Sequence, residues 1–284
     1  MRGPIAVFDS GVGGLTVVKE LLKQLPQEAI VYFGDTARAP YGPRPKQEII
    51  QFTEEIVHDL QRYHPKLVVI ACNTATAVAL DKVKKELSIP IVGVIEPGAR
   101  AALKATKTGY IAVIGTEGTI KSKAYDEALL THASNVRIMS QACPAFVPLV
   151  EKGEYRSSKA YSVVQEAIGH MRSYPIDCLI LGCTHYPFLS DTIAKVMGSD
   201  VKLIHSAEET AREVGGIIAE LNKKKLEGTA MISSQQKRTK ELQRSEIVHR
   251  FICSGDLTTF RAIAEEWLGL ELKKRKVIYE RKQP

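Results

Sequence analysis

The chain is poor in the features that announce a membrane, secreted or metal-clamped protein. Aromatic residues make up 6% of its 284 residues, with a single tryptophan. No apolar run approaches the ~18 residues that a membrane span needs. The opening MRGPIAVFDSGVGG has neither an apolar signal region nor a small-residue cleavage site. The expected location is the cytoplasm, with no membrane contact. Cysteine is sparse as well: five residues, Cys72, Cys143, Cys178, Cys183 and Cys253, an odd number scattered through the chain. That excludes the dense even framework of a small secreted domain and predicts free thiols. Cys178 and Cys183 form the one close pair, and no second pair completes a four-ligand zinc site, so no metal is expected.

An acidic excess is also missing; the net charge is +7. Residues 223–284 hold 15 Lys and Arg against 8 Asp and Glu, while the rest of the chain is balanced at 24 of each, so the whole excess is C-terminal. It gathers in KKK (Lys223 to Lys225), KRTK (Lys237 to Lys240) and KKRK (Lys273 to Lys276). Any nucleic-acid contact would run through this basic C-terminal region. Without aromatic interleaving or a nucleic-acid module, a solvated face is the better reading.

What is present is a globular composition, 44% hydrophobic and 25% charged, enough for one large domain or two modest ones. Apolar strand-like runs alternate with amphipathic segments: IAVF then LTVVKELLKQL, AIVYFG then KQEIIQFTEEIVHDLQRY, LVVIA then TATAVALDKVKKEL, and IPIVGVIE. This is the rhythm of βαβ units and a parallel sheet covered by helices. The pattern then restarts. IAVFDSGVGG (Ile5 to Gly14) aligns with IAVIGTEGTI (Ile111 to Ile120), and VVIACNT aligns with LILGCTH, which sets Cys72 opposite Cys183.

The expected fold is therefore α/β, with two pseudo-symmetric lobes, each a parallel sheet flanked by helices, and the active site between them. One lobe spans 1–97 plus 207–284 and is discontinuous; the other spans 98–206. The first boundary lies at Glu96, Pro97 and Gly98, ahead of a helix beginning near Ala99. RFICSGDLTTFRAIAEEWLG reads as a further strand and helix of the first lobe. The polar stretch between Lys223 and His249 reads mostly as an exposed connector.

Functional groups in open parallel sheets collect beyond the carboxyl ends of strands, and Cys72 and Cys183 both sit there at expected helix starts. Unpaired amides and the positive dipole end at such a place lower a thiol's pKa. A single cysteine is more often simply buried; two at equivalent strand ends reverse that expectation. Cys143, Cys178 and Cys253 keep the packing reading. Acyl transfer wants one thiol with a base and an oxyanion hole, and redox exchange wants two thiols in contact. One thiol on each of two opposed lobes suits removal of a proton from one face of a carbon and its return to the other, which is racemisation or epimerisation.

The other loops suit an acidic substrate. Ser10, Asn73, Thr74, Thr116, Thr119 and Thr184 offer hydroxyl or amide groups for carboxylates, and the turn Pro40, Tyr41, Gly42 offers a phenol and a free amide to a second carboxylate. His185 is a proton partner for Cys183, and Asp9 one from the first lobe, although Asp9 alone would serve equally as a helix cap. The glycines of SGVGG do not form G-x-G-x-x-G; a tight turn bringing backbone amides to a small anion explains them better.

The segments FDSGVGGLTV, YFGDTARAPYG, ACNTATA, GVIEPG, VIGTEGTIKSKAY, CPAFVPLVEKGEY and LGCTHYPFL, in this order over about the first 210 residues, resemble the glutamate racemases of the cofactor-independent aspartate/glutamate racemase superfamily. The resemblance implies two thiol bases working without pyridoxal phosphate or metal, Cys72 on D-glutamate and Cys183 on L-glutamate. Asp9, His185 and Glu151 match the family's assisting residues. Substrate contacts fall on Asp9, Ser10, Pro40, Tyr41, Gly42, Asn73, Thr74, Thr184 and His185, with Thr116 and Thr119 lining the site. It further implies a homodimer and a product, D-glutamate, destined for peptidoglycan. Rival readings are a superfamily enzyme for aspartate, a hydantoin or another α-substituted acid, a nucleic-acid-binding or regulatory protein, and a non-catalytic anion receptor.

Overall fold

The computed structural model describes residues 3–229, 247–273 and 275–282. The first pass of the repeat folds as β1 (Ile5–Asp9), α1 (Leu15–Gln24), β2 (Ile30–Gly34), α2 (Lys46–Leu60), β3 (Leu67–Ile70), α3 (Asn73–Glu86) and β4 (Ile91–Gly93). Then come α4 (Ile95–Ala105), β5 (Tyr110–Gly115), α5 (Glu117–Ser122), α6 (Ala124–His132), β6 (Arg137–Ala142), α7 (Phe146–Glu151), α8 (Ser158–Ile168), β7 (Cys178–Gly182), α9 (Ser190–Met197) and β8 (Lys202–His205). The chain continues through α10 (Ser206–Thr229), β9 (Val248–Cys253), α11 (Leu257–Leu268) and β10 (Lys276–Arg281).

The strands build two sheets, ordered β10-β9-β2-β1-β3-β4 and β6-β5-β7-β8, with every pairing parallel. Replacing β1 to β4 by β5 to β8 turns the order β2-β1-β3-β4 into β6-β5-β7-β8. The internal repeat is thus a repeat of topology, and β3 and β7, whose ends bear Cys72 and Cys183, are equivalent strands.

Because successive side chains of a strand point to opposite faces, each sheet separates two cores. Ile5, Val7, Tyr32, Val69 and Phe251 face α1, α10 and α11, while Ala6, Phe8, Val31, Phe33, Val68 and Ile70 face α2 and α3. In the second sheet Ala112, Ile114, Leu179 and Leu181 meet α7, α8 and α9, and Ile111, Val113 and Ile180 meet α4 and α6. Burial on both faces explains why the central strands read as unbroken apolar runs rather than alternating ones. The helices are apolar on one side only: in α1, Leu15, Val18, Leu21 and Leu22 are fully buried at helical spacing.

Several boundaries differ from expectation. Helix α4 begins at Ile95, not near Ala99, and the limit at 97/98 runs through its first turn. Pro97 is tolerated there because first-turn amides have no helical acceptor. Lys223 to Thr229, read as connector, continue α10; the stretch 230–246, with the run at Lys237 to Lys240, lies outside the described residues. The basic tail contributes an edge strand, β10. Part of its charge is used internally: the Arg275 guanidinium donates to the carbonyls of Glu271, Pro26 and Leu22, and Lys282 pairs with Asp59 at 2.5 Å. No helix among the described residues is long and apolar enough to cross a membrane.

Candidate active site

Cys72 follows β3 and caps α3, its Sγ accepting the Ala75 N–H at 3.4 Å and lying 3.6 Å from Ser10 Oγ. The expected acidification does not occur in this state. Burial, and after it the charge of Asp9, pushes the Cys72 thiol up to about 12, because one long N–H···S contact does not replace the water lost by the thiolate. Cys183 follows β7, but no α-helix starts there; the chain makes a 3-10 turn, Tyr186–Leu189, before α9.

Cys183 Sγ lies 3.9 Å from His185 Nδ1. Burial alone would lower the pKa of His185, but its contacts with Cys183 and Glu151 and the charge of Asp9 overcome that and raise it to about 10. The imidazole is thus held as a cation. Its Nε2 lies 3.3 Å from Glu151 Oε1, in a direction that falls short of a hydrogen bond. Glu151 is partly exposed at the end of α7, so solvent screens this attraction. On the other side the ring meets Trp267 edge-on, with centroids 6.4 Å apart.

Asp9, at the end of β1, is fully buried. Its Oδ1 accepts the Gly11 N–H at 2.9 Å and its Oδ2 accepts the Thr184 hydroxyl of the opposite lobe at 3.3 Å. Burial raises its pKa; the charge of His185 and these hydrogen bonds only partly offset that. The small anion served by the glycine turn is therefore the Asp9 carboxylate itself. Two glycines are needed for close approach: a Cβ on Gly13 would lie 2.3 Å from Thr184 Oγ1 and 2.6 Å from His185 Nδ1, and one on Gly14 would lie 2.4 Å from Asp9 Cβ.

The Pro40-Tyr41-Gly42 turn closes another side, but the phenol does not point where the sequence suggested. The Tyr41 hydroxyl donates to Asp35 Oδ2 at 2.5 Å, and Asp35 also accepts from Arg38 Nε at 2.7 Å and Ser254 Oγ at 2.8 Å. The phenol proton is used within the scaffold and is not offered to the cavity. The Gly42 carbonyl instead accepts the Gly118 N–H at 3.0 Å from the second lobe. Thr74, Thr116 and Thr119 form a hydroxyl triangle across the same junction, with separations of 2.9, 3.0 and 3.3 Å.

Both cysteines line one cavity together with Ser10, Pro40, Tyr41, Gly42, Asn73, Thr74, Thr116, Glu151, Thr184 and His185. Asp9 and Thr119 stand just behind the wall, acting through Thr184 and Thr116. Its volume is about 30 Å3, space for about two waters, so the lobes are closed on each other and must part to admit an amino acid. Two larger grooves of about 750 and 1240 Å3 contain neither thiol. Gly11, Ala39 and Val147 also line the cavity and were not foreseen, nor was Asp35 behind the Tyr41 turn. Asp35 was findable, since GD follows a strand end; Val147 has no chemical signal.

The family model for Asp/Glu/Hydantoin racemase matches residues 8–214. A glutamate racemase of Bacillus cereus is 48% identical over 279 residues, 98% of this chain and 98% of its own length. The crystal structure of a glutamate racemase isoform from Bacillus anthracis matches with a TM-score of 0.85 at 41% identity, over 98% of this chain and 97% of that one. The glutamate racemase of Francisella tularensis, solved in complex with D-glutamate, matches with a TM-score of 0.82 at 32% identity, over 99% and 97%. The chain belongs to the Asp/Glu/Hydantoin racemase family, among its glutamate racemases.

Proposed function

We propose that this protein interconverts L- and D-glutamate by proton transfer at the α-carbon between two thiols, Cys183 serving the L face and Cys72 the D face, and supplies D-glutamate for peptidoglycan. The observation that carries the reading is the pairing of Cys72 and Cys183 at equivalent strand ends of two sheets of one topology, both on the wall of a single cavity.

In the L-to-D direction the Cys183 thiolate takes the α-proton, and the electron pair stays on the substrate as a carbanionic α-carbon conjugated with its carboxylate. The Cys72 thiol then returns a proton to the opposite face. The enzyme is left with Cys72 ionised and Cys183 protonated, the state from which the reverse reaction runs. The high pKa of Cys72 makes it the proton donor in the resting, closed site. Cationic His185, its Nδ1 3.9 Å from Cys183 Sγ, is the proposed proton partner of that sulfur. Asp9 and Glu151 keep His185 charged, and Asp9 fixes Thr184 next to Cys183. An enzyme without an electron sink must stabilise the carbanion with aligned donors in a water-poor cleft. Ser10, Asn73, Thr74, Thr116, Thr184 and the backbone at Gly42 are the groups proposed to do so, and the small closed cavity is what excludes water.

The same reading divides the chain into lobes 1–97 with 207–284 and 98–206, supported by the separate sheets. It assigns the cytoplasm, where the five free, buried cysteines stay reduced, and a homodimer, which sedimentation equilibrium tests. The deciding experiment is hydrogen exchange at the α-carbon in deuterated water. Wild-type protein should exchange and racemise both enantiomers, and Cys72→Ser and Cys183→Ser should each abolish racemisation while retaining exchange of one enantiomer. Normal racemisation by Cys183→Ser would end the two-base reading.

A further inference from the structure

Asn73 is the residue after Cys72, and its buried side chain lines the cavity. Its Oδ1 lies 2.7 Å from the hydroxyl of Tyr125, a fully enclosed residue of α6 on the opposite lobe. Its Nδ2 is buried and has no partner. An amide whose oxygen is engaged on one side presents its NH2 on the other, and an unpaired buried donor is costly unless something arrives to accept from it.

Tyr125 is itself held from three directions. Ser206, at the start of α10, stands beside the phenol, its hydroxyl favouring a negative phenol oxygen. A Cβ on Gly98 would lie 3.2 Å from Ser206 Cβ and 3.4 Å from Tyr125 Oη, and one on Gly182, the residue before Cys183, would lie 3.0 Å from the Tyr125 ring. The phenol therefore touches the neighbour of each catalytic cysteine. Burial pushes its pKa well above the usual value, so it always has a proton to give. That proton is directed to Asn73 Oδ1.

We infer that Tyr125 is a positioning residue: the chain Ser206 to Tyr125 to Asn73 Oδ1 locks the Asn73 amide so that Nδ2 is the donor offered to a carboxylate of the bound glutamate. This rests on the function proposed above. Without the phenol proton the amide turns freely, and its other orientation sets an oxygen against the carboxylate. Since Tyr125 comes from the second lobe and Asn73 from the first, the lock forms only when the lobes close.

The test is a double-mutant cycle on KM for both enantiomers. Tyr125→Phe should raise KM about tenfold, the scale of one hydrogen bond, with kcat within about threefold of wild type. The same substitution in an Asn73→Ala background should change KM no further. Ser206→Ala, which leaves the ring in place, should raise KM by about two- to threefold and likewise have no effect in the Asn73→Ala background. An unchanged KM in Tyr125→Phe, or an equal rise with and without Asn73, overturns the inference and makes the ring a packing element only. If Tyr125→Phe does not melt cooperatively, the Ser206→Ala cycle decides on the same criteria. Failure of the two-base reading is distinct, since it appears as absent α-hydrogen exchange in the unmutated protein.

Discussion

Gly13→Ala is the sharpest test of how the glycine turn serves the site. The added methyl would sit 2.3 Å from Thr184 Oγ1 and 2.6 and 2.7 Å from His185 Nδ1 and Cε1. Ordinary carbon contacts begin near ~3.5 Å, so relief requires a shift of about 1 Å. Neither neighbour is a flexible side-chain end: Thr184 is bonded to Asp9, and His185 is held between Cys183, Glu151 and Trp267. Overpacking of this kind costs about 1–3 kcal/mol, and displacement of reacting groups by about 1 Å costs ~100-fold in rate. A coupled assay and polarimetry should therefore show kcat/KM reduced about 100-fold, with the melting temperature lower by about 2–10 °C. The loss must be equal in both directions, because the equilibrium constant of racemisation is one. Gly216→Ala in α10 is the control: nothing lies within 4 Å of its Cβ position, and alanine in a helix interior should stabilise by about 0.5–1 kcal/mol with unchanged kinetics. If Gly13→Ala is folded and racemises within threefold of wild type, the close approach of Thr184 and His185 does not matter to the reaction and the argument fails.

Three further outcomes are expected. Tyr41→Phe removes the donor to buried Asp35 and should cost about 1.5–3 kcal/mol in urea unfolding, with a higher KM from a loosened Gly42 loop; a change under about 0.5 kcal/mol would mean the pair is not formed. Stability should fall on the alkaline side. The proton on His185 stabilises fully below its ordinary 6.5 and loses that effect as pH rises through about 10, and the Cys72 thiol loses stability between its ordinary 9.0 and about 12 because the unfolded thiol ionises first. Melting temperature measured from pH 6 to 10 should decline, and His185→Gln should flatten the curve; a slope unaffected by that substitution contradicts the assignment. Finally, His185→Asn in a Cys72→Ser background should abolish α-hydrogen exchange of L-glutamate, and in a Cys183→Ser background it should leave exchange of D-glutamate in place, since the thiol beside His185 is that of Cys183. Equal loss in both backgrounds would make His185 a general binding group.

The architecture was legible because it is written twice. Apolar runs buried on both faces give strands without ambiguity, and two aligned passes ending in CNT and CTH set Cys72 and Cys183 at matching strand ends. What stayed hidden is what depends on groups meeting across the junction. The phenol of Tyr41 is a different case: it reads as a ligand because the turn gives no sign of folding back on Asp35, six residues upstream, which Ser254, 219 residues further along the chain, helps to hold. The acidity of Cys72 is hidden too, since a helix mouth is read locally while burial and the charge of Asp9, 63 positions earlier in the chain, are not. SGVGG resembled an anion loop, yet its tightest constraint at Gly13 is imposed by Thr184 and His185, which no local spacing can reveal. The glycines, the buried hydroxyls and the orphan amide of Asn73 all make sense only in the closed pair of lobes, so closure assembles the site: Cys72 and Cys183 follow strands of separate sheets, and each sheet alone presents one thiol with half of its surroundings.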